Sequence, residues 1–383
     1  MTLLSRRRFL QGLSATALAS QWSWSFAGTT PTPAGDTAGY RTGPRNLITD
    51  VPGLRVGVAQ DERVRTGTTV ILPDQPAVAA VDVRGGGPAT RETDALGEHN
   101  LVQTVDAIVL SGGSVYGLAA ADGVAAWLGQ HGKGFALIPA PGVPVSPIVP
   151  AASLYDLADG GDKQWGGEPP YRQLGLLAAT HASADFPLGT QGAGYGATTG
   201  FGKLKGGLGS ASVVAPDGST VGAIVAVNSL GSVVAAGTNA FWATPYELGN
   251  EFGGGGGKAL ARLRAQPNDW LVGALDEGRK NTTLACVATN LALTRVELQR
   301  VAIMAHDGMA RAIRPVHSPF DGDIVFAVST GKREPGANRE LAVLQVGALA
   351  ADTLTRAIAR GVYAATVWPG SPVKSWASLH NAS

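Results

Sequence analysis

Asn281-Thr282-Thr283-Leu284-Ala285-Cys286-Val287-Ala288-Thr289-Asn290 is the stretch on which the reading of this chain turns. A long polar, glycine-rich segment precedes it, and an apolar run with no turn former follows from Leu284, which reads as a buried strand. In the plain reading, Asn-Thr-Thr only opens that strand. In the other, the chain is cut between Asn281 and Thr282, and Thr282 becomes a new N-terminus at the strand's start. A threonine with a free α-amine carries its own general base, because the amine can take the proton from its own hydroxyl. An α-amine titrates near ~7.7–8.0, close to working pH.

Outward from this stretch, Thr238 to Lys280 carries Gly253 to Gly257 and scattered polar residues, with a helical piece at Ala259 to Ala265. It reads as a mobile linker, from about residue 245, that ends at the candidate scissile bond. Upstream, Pro216-Asp217-Gly218 turns between Ala211–Val214 and Val221–Val227, a hairpin whose second strand ends in Asn228. An asparagine at a buried strand end can aim an amide N–H into a site as an oxyanion donor, or can simply cap the turn. Lys205, flanked by glycines and small residues in Lys203-Leu204-Lys205-Gly206-Gly207, can be desolvated so that its charge meets developing negative charge, or can be an ordinary turn lysine. Downstream, Asp321 and Asp323 are two apart and point the same way if extended, and paired carboxylates could hold an amine or a lysine. A calcium loop is their rival reading, but no further ligands follow at the required spacing.

The remaining elements set these residues in a mixed α/β chain. Asn46 to Gly57 reads as two extended pieces around Pro52-Gly53. Thr68–Leu72 and Ala77–Val83 read as a hairpin about Pro73-Asp74, and Val105 to Leu110 as one largely buried strand. Gly85-Gly86-Gly87 offers amides to a ligand or lets two chain segments cross closely. Leu118–Leu128, Leu174–Ala184, one or two helices in Arg295–Ile313 and a closing helix over Arg339–Tyr363 supply the α part. Ser111-Gly112-Gly113-Ser114 joins a strand to a helix, an anion-binding geometry. Tyr116 stands where a hydrolase elbow needs its last glycine, so Ser114 is no nucleophile, and no Walker lysine is present. Gly189 to Gly200 lacks the helix that a dinucleotide fingerprint requires.

The chain opens Ser5-Arg6-Arg7-Arg8-Phe9-Leu10 and continues with a short apolar run, which reads as a twin-arginine export signal cleaved after Ala27. Residues 28–44 read as a disordered tether. This places the protein in the periplasm or outside the cell, with membrane contact only during export. A net charge of +1 with 15% charged residues leaves no nucleic-acid footprint. The single Cys286 excludes an intrachain disulfide framework, and the 53 glycines imply many tight turns and close backbone approaches. Nothing in the sequence asks for a metal or another cofactor.

Taken together and in order, Ile48-Thr49-Asp50-Val51-Pro52-Gly53-Leu54, Arg84-Gly85-Gly86, Leu110-Ser111-Gly112-Gly113-Ser114 with Gly117-Leu118-Ala119-Ala120, Lys205-Gly206-Gly207-Leu208-Gly209, Val227-Asn228, Asn281-Thr282-Thr283 and Asp321-Gly322-Asp323 resemble the DmpA-type family of N-terminal-nucleophile aminopeptidases and amidases. β-Peptidyl aminopeptidases and nylon-oligomer hydrolases belong to that family. The resemblance covers residues ~45–370. It implies a layered α-β-β-α sandwich of the DmpA/ornithine-acetyltransferase type. It also implies self-cleavage at Asn281–Thr282 into an α chain (45–281) and a β chain (282–383) that stay together in one catalytic domain, and a homo-oligomer. Position by position, it makes Thr282 the nucleophile, Lys205 a supporting cation, Asn228 an oxyanion donor, and Asp321 and Asp323 the groups that orient amine and hydroxyl. Tyr155 is a looser match on the substrate side, with the Gly112 and Gly113 amides. Many members carry serine after glycine here, so Asn281-Thr282 is similar rather to the nylon-oligomer hydrolases. The activity implied is hydrolysis of a small peptide or amide through a Thr282 acyl-enzyme. The rival classes are an acyltransferase on a similar scaffold, a non-catalytic exported binding protein and a metal hydrolase.

Overall fold

A computed structural model describes residues 39–262 and 281–380. The expected signal peptide, most of the tether and residues 263–280 of the expected linker lie outside the described residues. In chain order the strands are β1 (Leu54–Asp61), β2 (Thr66–Pro73), β3 (Ala77–Val83), β4 (Thr90–Arg91), β5 (Thr104–Val105), β6 (Ile108–Ser111), β7 (Ala151–Ser153), β8 (Thr198–Thr199), β9 (Leu204–Lys205), β10 (Gly207–Val214), β11 (Thr220–Val227), β12 (Leu284–Leu291) and β13 (Ile324–Arg333). The helices are α1 (Ala120–Gln130), α2 (Tyr171–Thr180), α3 (Gly257–Arg262), α4 (Arg295–Ala312), α5 (Arg339–Tyr363) and α6 (Trp376–His380). Five strands form a sheet in the order β1-β2-β6-β7-β4, six form a second in the order β10-β11-β12-β13-β3-β5, and β8-β9 is a small ribbon.

The period of two along β12 sorts the molecule into layers. Leu284, Cys286 and Ala288 enter a core shared with Ile71 and Leu110 of the five-stranded sheet and Phe326 of its own. Ala285 and Val287 point the other way, to Leu298 and Val301 of α4 and Leu354 of α5. A third core joins Val70 and Val109 of the five-stranded sheet to Val124 of α1 and Leu174 and Ala178 of α2. The order is therefore helix, sheet, sheet, helix, as the resemblance implied. A strand covered on both faces must be apolar on both, and all eight residues of β12 are buried. Full burial of side chains such as Leu284 and Phe326 contributes ~1.5–3 kcal/mol each. α4 is one helix, opened by a capping box between Thr294 and Glu297, and Glu297 also pairs with Arg339 at the start of α5.

Four local expectations give way to tertiary structure. β2 and β3 form no hairpin: β2 pairs with β1 and β6, and β3 with β13 and β5, so the chain changes sheet at residues 73–77. Prolines at both ends of that link withhold the N–H groups a tight hairpin would use. The expected strand Val105–Leu110 splits at Asp106, with β5 in the six-stranded sheet and β6 in the other. Asp106 there accepts a hydrogen bond from Ile148 N at 2.8 Å. Ile48–Asp50 is a single 3-10 turn rather than an extended piece. The start of the expected linker is anchored: Phe252 packs edge-on against Phe241, and the buried Glu251 pairs with Arg356 at 2.6 Å. The β10–β11 hairpin about Pro216-Asp217-Gly218 and the closing helix α5 form where the sequence put them.

Candidate active site

β11 ends, and β12 and β13 begin, at one end of the six-stranded sheet, because β12 runs antiparallel to β11 and parallel to β13 with Leu284 opposite both Ala226 and Ile324. Asn281-Thr282-Thr283 is thereby threaded between Asn228 and the segment 320–324. Asn281 N–H donates to the Phe320 carbonyl at 3.1 Å, and the Asn281 carbonyl accepts from Gly322 N–H at 2.9 Å. Thr282 N–H donates to the Asn228 carbonyl at 2.6 Å, and Thr283 N–H to Asp323 Oδ1 at 2.8 Å. The Thr282 hydroxyl donates to the Asn281 carbonyl at 2.6 Å. Thr282 is buried, two residues before β12 begins at Leu284. The Asn281–Thr282 peptide is thus held by two neighbours, Gly322 on its carbonyl and Asn228 on its N–H, with the Thr282 hydroxyl against the same carbonyl.

Asn228 is fully buried and works from both ends of its side chain. Its Oδ1 accepts from Thr198 N–H at 2.9 Å, and its Nδ2 donates to the Tyr155 carbonyl at 2.9 Å. A primary amide carries two donor hydrogens, so one remains for another acceptor. Lys205 is also fully buried, and its Nζ donates to the carbonyls of Ala197 (2.7 Å), Gly194 (3.1 Å) and Gly206 (3.2 Å). Three carbonyls use the three donors of an ammonium, so Lys205 acts here on the backbone and not on the Thr282 hydroxyl. The Ala197–Thr198 peptide joins the two residues: its carbonyl takes the Lys205 bond and its N–H serves Asn228. Burial pulls the Lys205 pKa down to about 7 against the opposing charges of Asp159 and Asp156.

The carboxylates lie together and buried. Asp321 accepts from Leu230 N–H at 3.1 Å and from the Ser318 N–H and hydroxyl at 3.0 and 2.5 Å. Asp323 accepts from Thr283 N–H and, on its other oxygen, from the His317 ring at 2.8 Å. Burial, and then the Asp323 charge, push the Asp321 carboxyl up to about 6, against the hydrogen bonds from Ser318 and Leu230. A raised carboxyl keeps its proton above the ordinary range, so Asp321 loses its proton only near pH 6. The acid limb of kcat/KM for amide hydrolysis is therefore expected near pH 6. A limb near pH 4 would remove Asp321 from the titrating step.

Thr282, Asn281, Asn228, Asp321 and Asp323 thus meet through direct bonds or one shared neighbour, and Lys205 joins them through a peptide. Tyr155 contributes its carbonyl to Asn228. Gly112 and Gly113 do not serve as ligand amides: Gly112 N–H is taken by the Gly67 carbonyl, and Gly113 N–H by Asp156 Oδ1 at 2.8 Å. Their reason is steric. A Cβ at 112 would stand 2.2 Å from Asp156 Oδ2, and one at 113 would stand 2.1 Å from the Tyr171 ring. Gly85 settles the other glycine question as a chain crossing, since a Cβ there would meet Asp323 N at 2.3 Å. Two residues of the site had no role assigned from sequence. Gly322 sits inside the Asp-Gly-Asp motif, donates to the Asn281 carbonyl, and would put a Cβ 2.6 Å from Thr282 Oγ1. His317 carries no local signal, being six residues from its partner Asp323. Among the described residues, no group of three or more His, Cys, Asp and Glu side chains is placed to hold a metal ion. Cys286 lies in the inter-sheet core, where burial pushes its thiol pKa up.

The four-layer sandwich and this cluster define a hydrolase of peptide or amide bonds. Residues 46–374 match the model of peptidase family S58, and the chain belongs to that family. Its relatives include a protein of Mycobacterium tuberculosis named as an uncharacterized aminopeptidase, 42% identical over 353 residues that span 85% of this chain and 96% of the relative. A 6-aminohexanoate-oligomer endohydrolase of Paenarthrobacter ureafaciens is 30% identical over 83% of this chain and 86% of its own. Among solved structures, a Burkholderia β-aminopeptidase superposes with a TM-score of 0.64 at 23% identity, over 89% of this chain and 94% of that one. The L-aminopeptidase D-Ala-esterase/amidase of Ochrobactrum anthropi, described as a variant of the N-terminal-nucleophile hydrolase fold, gives 0.62 at 22% identity, over 87% and 90%.

Proposed function

We propose that this peptidase cleaves its own chain between Asn281 and Thr282 and then uses Thr282 as the N-terminal nucleophile on amide substrates. The observation that carries the reading is the Thr282 hydroxyl 2.6 Å from the Asn281 carbonyl oxygen, at a peptide whose carbonyl also accepts the Gly322 N–H. In the first stage the Thr282 oxygen bonds to the Asn281 carbonyl carbon and the C–N bond breaks, leaving an ester and a free Thr282 amine. Water then adds to the ester, releasing the Asn281 carboxylate and restoring the hydroxyl. Gly322 N–H is placed to receive the developing oxyanion in this stage.

In the second stage the free amine, directly or through water, takes the hydroxyl proton, and the hydroxyl attacks the substrate carbonyl. The leaving amine departs with a proton, and water hydrolyses the acyl-enzyme. The Asn228 carbonyl already holds the Thr282 nitrogen, and the second Nδ2 hydrogen of Asn228 is free for the oxyanion. The pieces would stay together, because β12 of the C-terminal piece pairs with β11, and β13 with β3, of the N-terminal one. The relatives' names place amino-terminal peptide bonds and ω-amino-acid oligomers among the substrates to try. Export by the twin-arginine route and homo-oligomer formation complete the reading; they rest on the N-terminal sequence and on the resemblance.

Intact mass and N-terminal sequencing of the purified protein test it. Two chains are expected, one beginning at Thr282 with 383 − 281 = 102 residues. A single uncut chain that nevertheless hydrolyses amides would overturn it.

A further inference from the structure

Behind the acidic pair lies a second, partly buried cluster that no step above uses. His317 meets Asp323 Oδ2 twice, through its ring Nδ1 at 2.8 Å and its backbone N–H at 3.0 Å. His317 makes that double contact from a left-handed backbone, at φ +55°. Non-glycine residues hold such a conformation at a cost, and such strain gathers at functional sites. The His306 ring from α4 stands edge to face on the His317 ring, with centroids 4.8 Å apart. His306 Nε2 in turn lies 3.1 Å from the Asp82 carbonyl and 3.4 Å from its carboxylate. The Asp82 carboxylate is shared with Arg84 and with Gln299. Each imidazole leaves one nitrogen, His306 Nδ1 and His317 Nε2, buried with no partner.

We propose that His317, braced by His306, is a positioning residue for the reaction: its ring N–H pins the Asp323 carboxylate against the Thr283 amide and so sets where Thr282 lies. The argument rests on connectivity. The other Asp323 oxygen accepts Thr283 N–H, the amide next to the nucleophile, so a turn of this carboxylate moves Thr282. The titratable and charged groups facing His317 are Asp321 and Asp323 from its own loop, His306 from α4, and Asp82 and Arg84 from the end of β3. Burial holds His306 down to about 4, so it stands neutral behind His317 in the neutral range. This inference deepens the reading under Proposed function and rests on it for the role of Thr282.

The test uses the full chain, made by cell-free translation, with self-cleavage at Asn281–Thr282 followed from pH 5 to 9. Hydrolysis of alanine p-nitroanilide by the same preparations is the second readout. His317→Ala is expected to slow cleavage about tenfold, with the acid limb that Asp321 sets left near pH 6. His317→Asn should restore the rate, because an asparagine tolerates the left-handed backbone and its Nδ2 can donate to Asp323. His317→Gly relieves the backbone strain yet lacks the donor, so it should behave as His317→Ala and stands in for it if the alanine variant does not fold. Wild-type cleavage rates in the alanine and glycine variants would overturn the proposal, as would an asparagine variant as slow as alanine. An uncut wild-type chain would instead overturn the Thr282 reading. The rates of p-nitroanilide hydrolysis by the three variants would then decide the His317 role alone.

Discussion

Thr282→Ala is expected to remain one uncut chain with no amide hydrolysis above background, while keeping the fold. The hydroxyl makes one hydrogen bond within the protein, to the Asn281 carbonyl, and that carbonyl keeps its bond from Gly322 N–H. Removing the hydroxyl therefore costs stability only about 0.5–1.5 kcal/mol, but it takes away the atom that attacks in both stages. Thr282→Ser keeps the oxygen and loses the methyl that restricts its rotamer, so it should still process, more slowly. Intact mass reads the first stage, and a panel of aminoacyl and ω-aminoacyl amides reads the second. Processing in Thr282→Ala at the wild-type rate would place the nucleophile elsewhere.

Asn228→Ala should fold and cleave amides about 10²–10³-fold more slowly, the usual loss for one oxyanion donor. The stability cost is separate. Truncation leaves the Tyr155 carbonyl and the Thr198 N–H without their partner in a buried site, about 1–3 kcal/mol for each group left bare. The Thr282 nitrogen keeps its place, because it is bound by the Asn228 backbone carbonyl, which the substitution retains. The fall should accordingly appear in kcat rather than in loss of protein, as kinetics beside a thermal melt would show. Unchanged turnover would take Asn228 out of the chemistry and leave it as the brace between Tyr155 and the Lys205 loop.

The legible parts of this molecule are those in which a short stretch carries its own physics. β12 reads as a buried strand because its apolar run admits no solvent-facing side. The β10–β11 hairpin reads from Pro216-Asp217-Gly218, and α5 from its helical period. The Asp321-Gly322-Asp323 and Val227-Asn228 motifs were found because each packs its chemistry into two or three neighbouring residues. The misreadings share one cause. Thr68–Leu72 and Ala77–Val83 look like a hairpin, and Val105–Leu110 like one strand, because period and turn residues report local conformation and not which sheet a strand joins. Gly112 and Gly113 look like ligand amides because a strand–glycine–helix junction has the same sequence whether its N–H groups face a ligand or, as here, Gly67 and Asp156.

By itself the sequence determined the α/β class and, through ordered short motifs, the family, and the resemblance offered the candidate scissile bond with Lys205, Asn228, Asp321 and Asp323 as candidate groups around it. Only the tertiary structure decided that Lys205 spends its ammonium on three carbonyls and reaches Asn228 through the Ala197–Thr198 peptide. It also decided that the Gly322 N–H supports the Asn281 carbonyl, and that His317 and His306 stand behind Asp323. Those facts depend on which strand ends lie side by side once two sheets have packed. Contacts between residues 6 to 41 positions apart, at no fixed spacing, are set by that packing and leave no periodic trace along the chain.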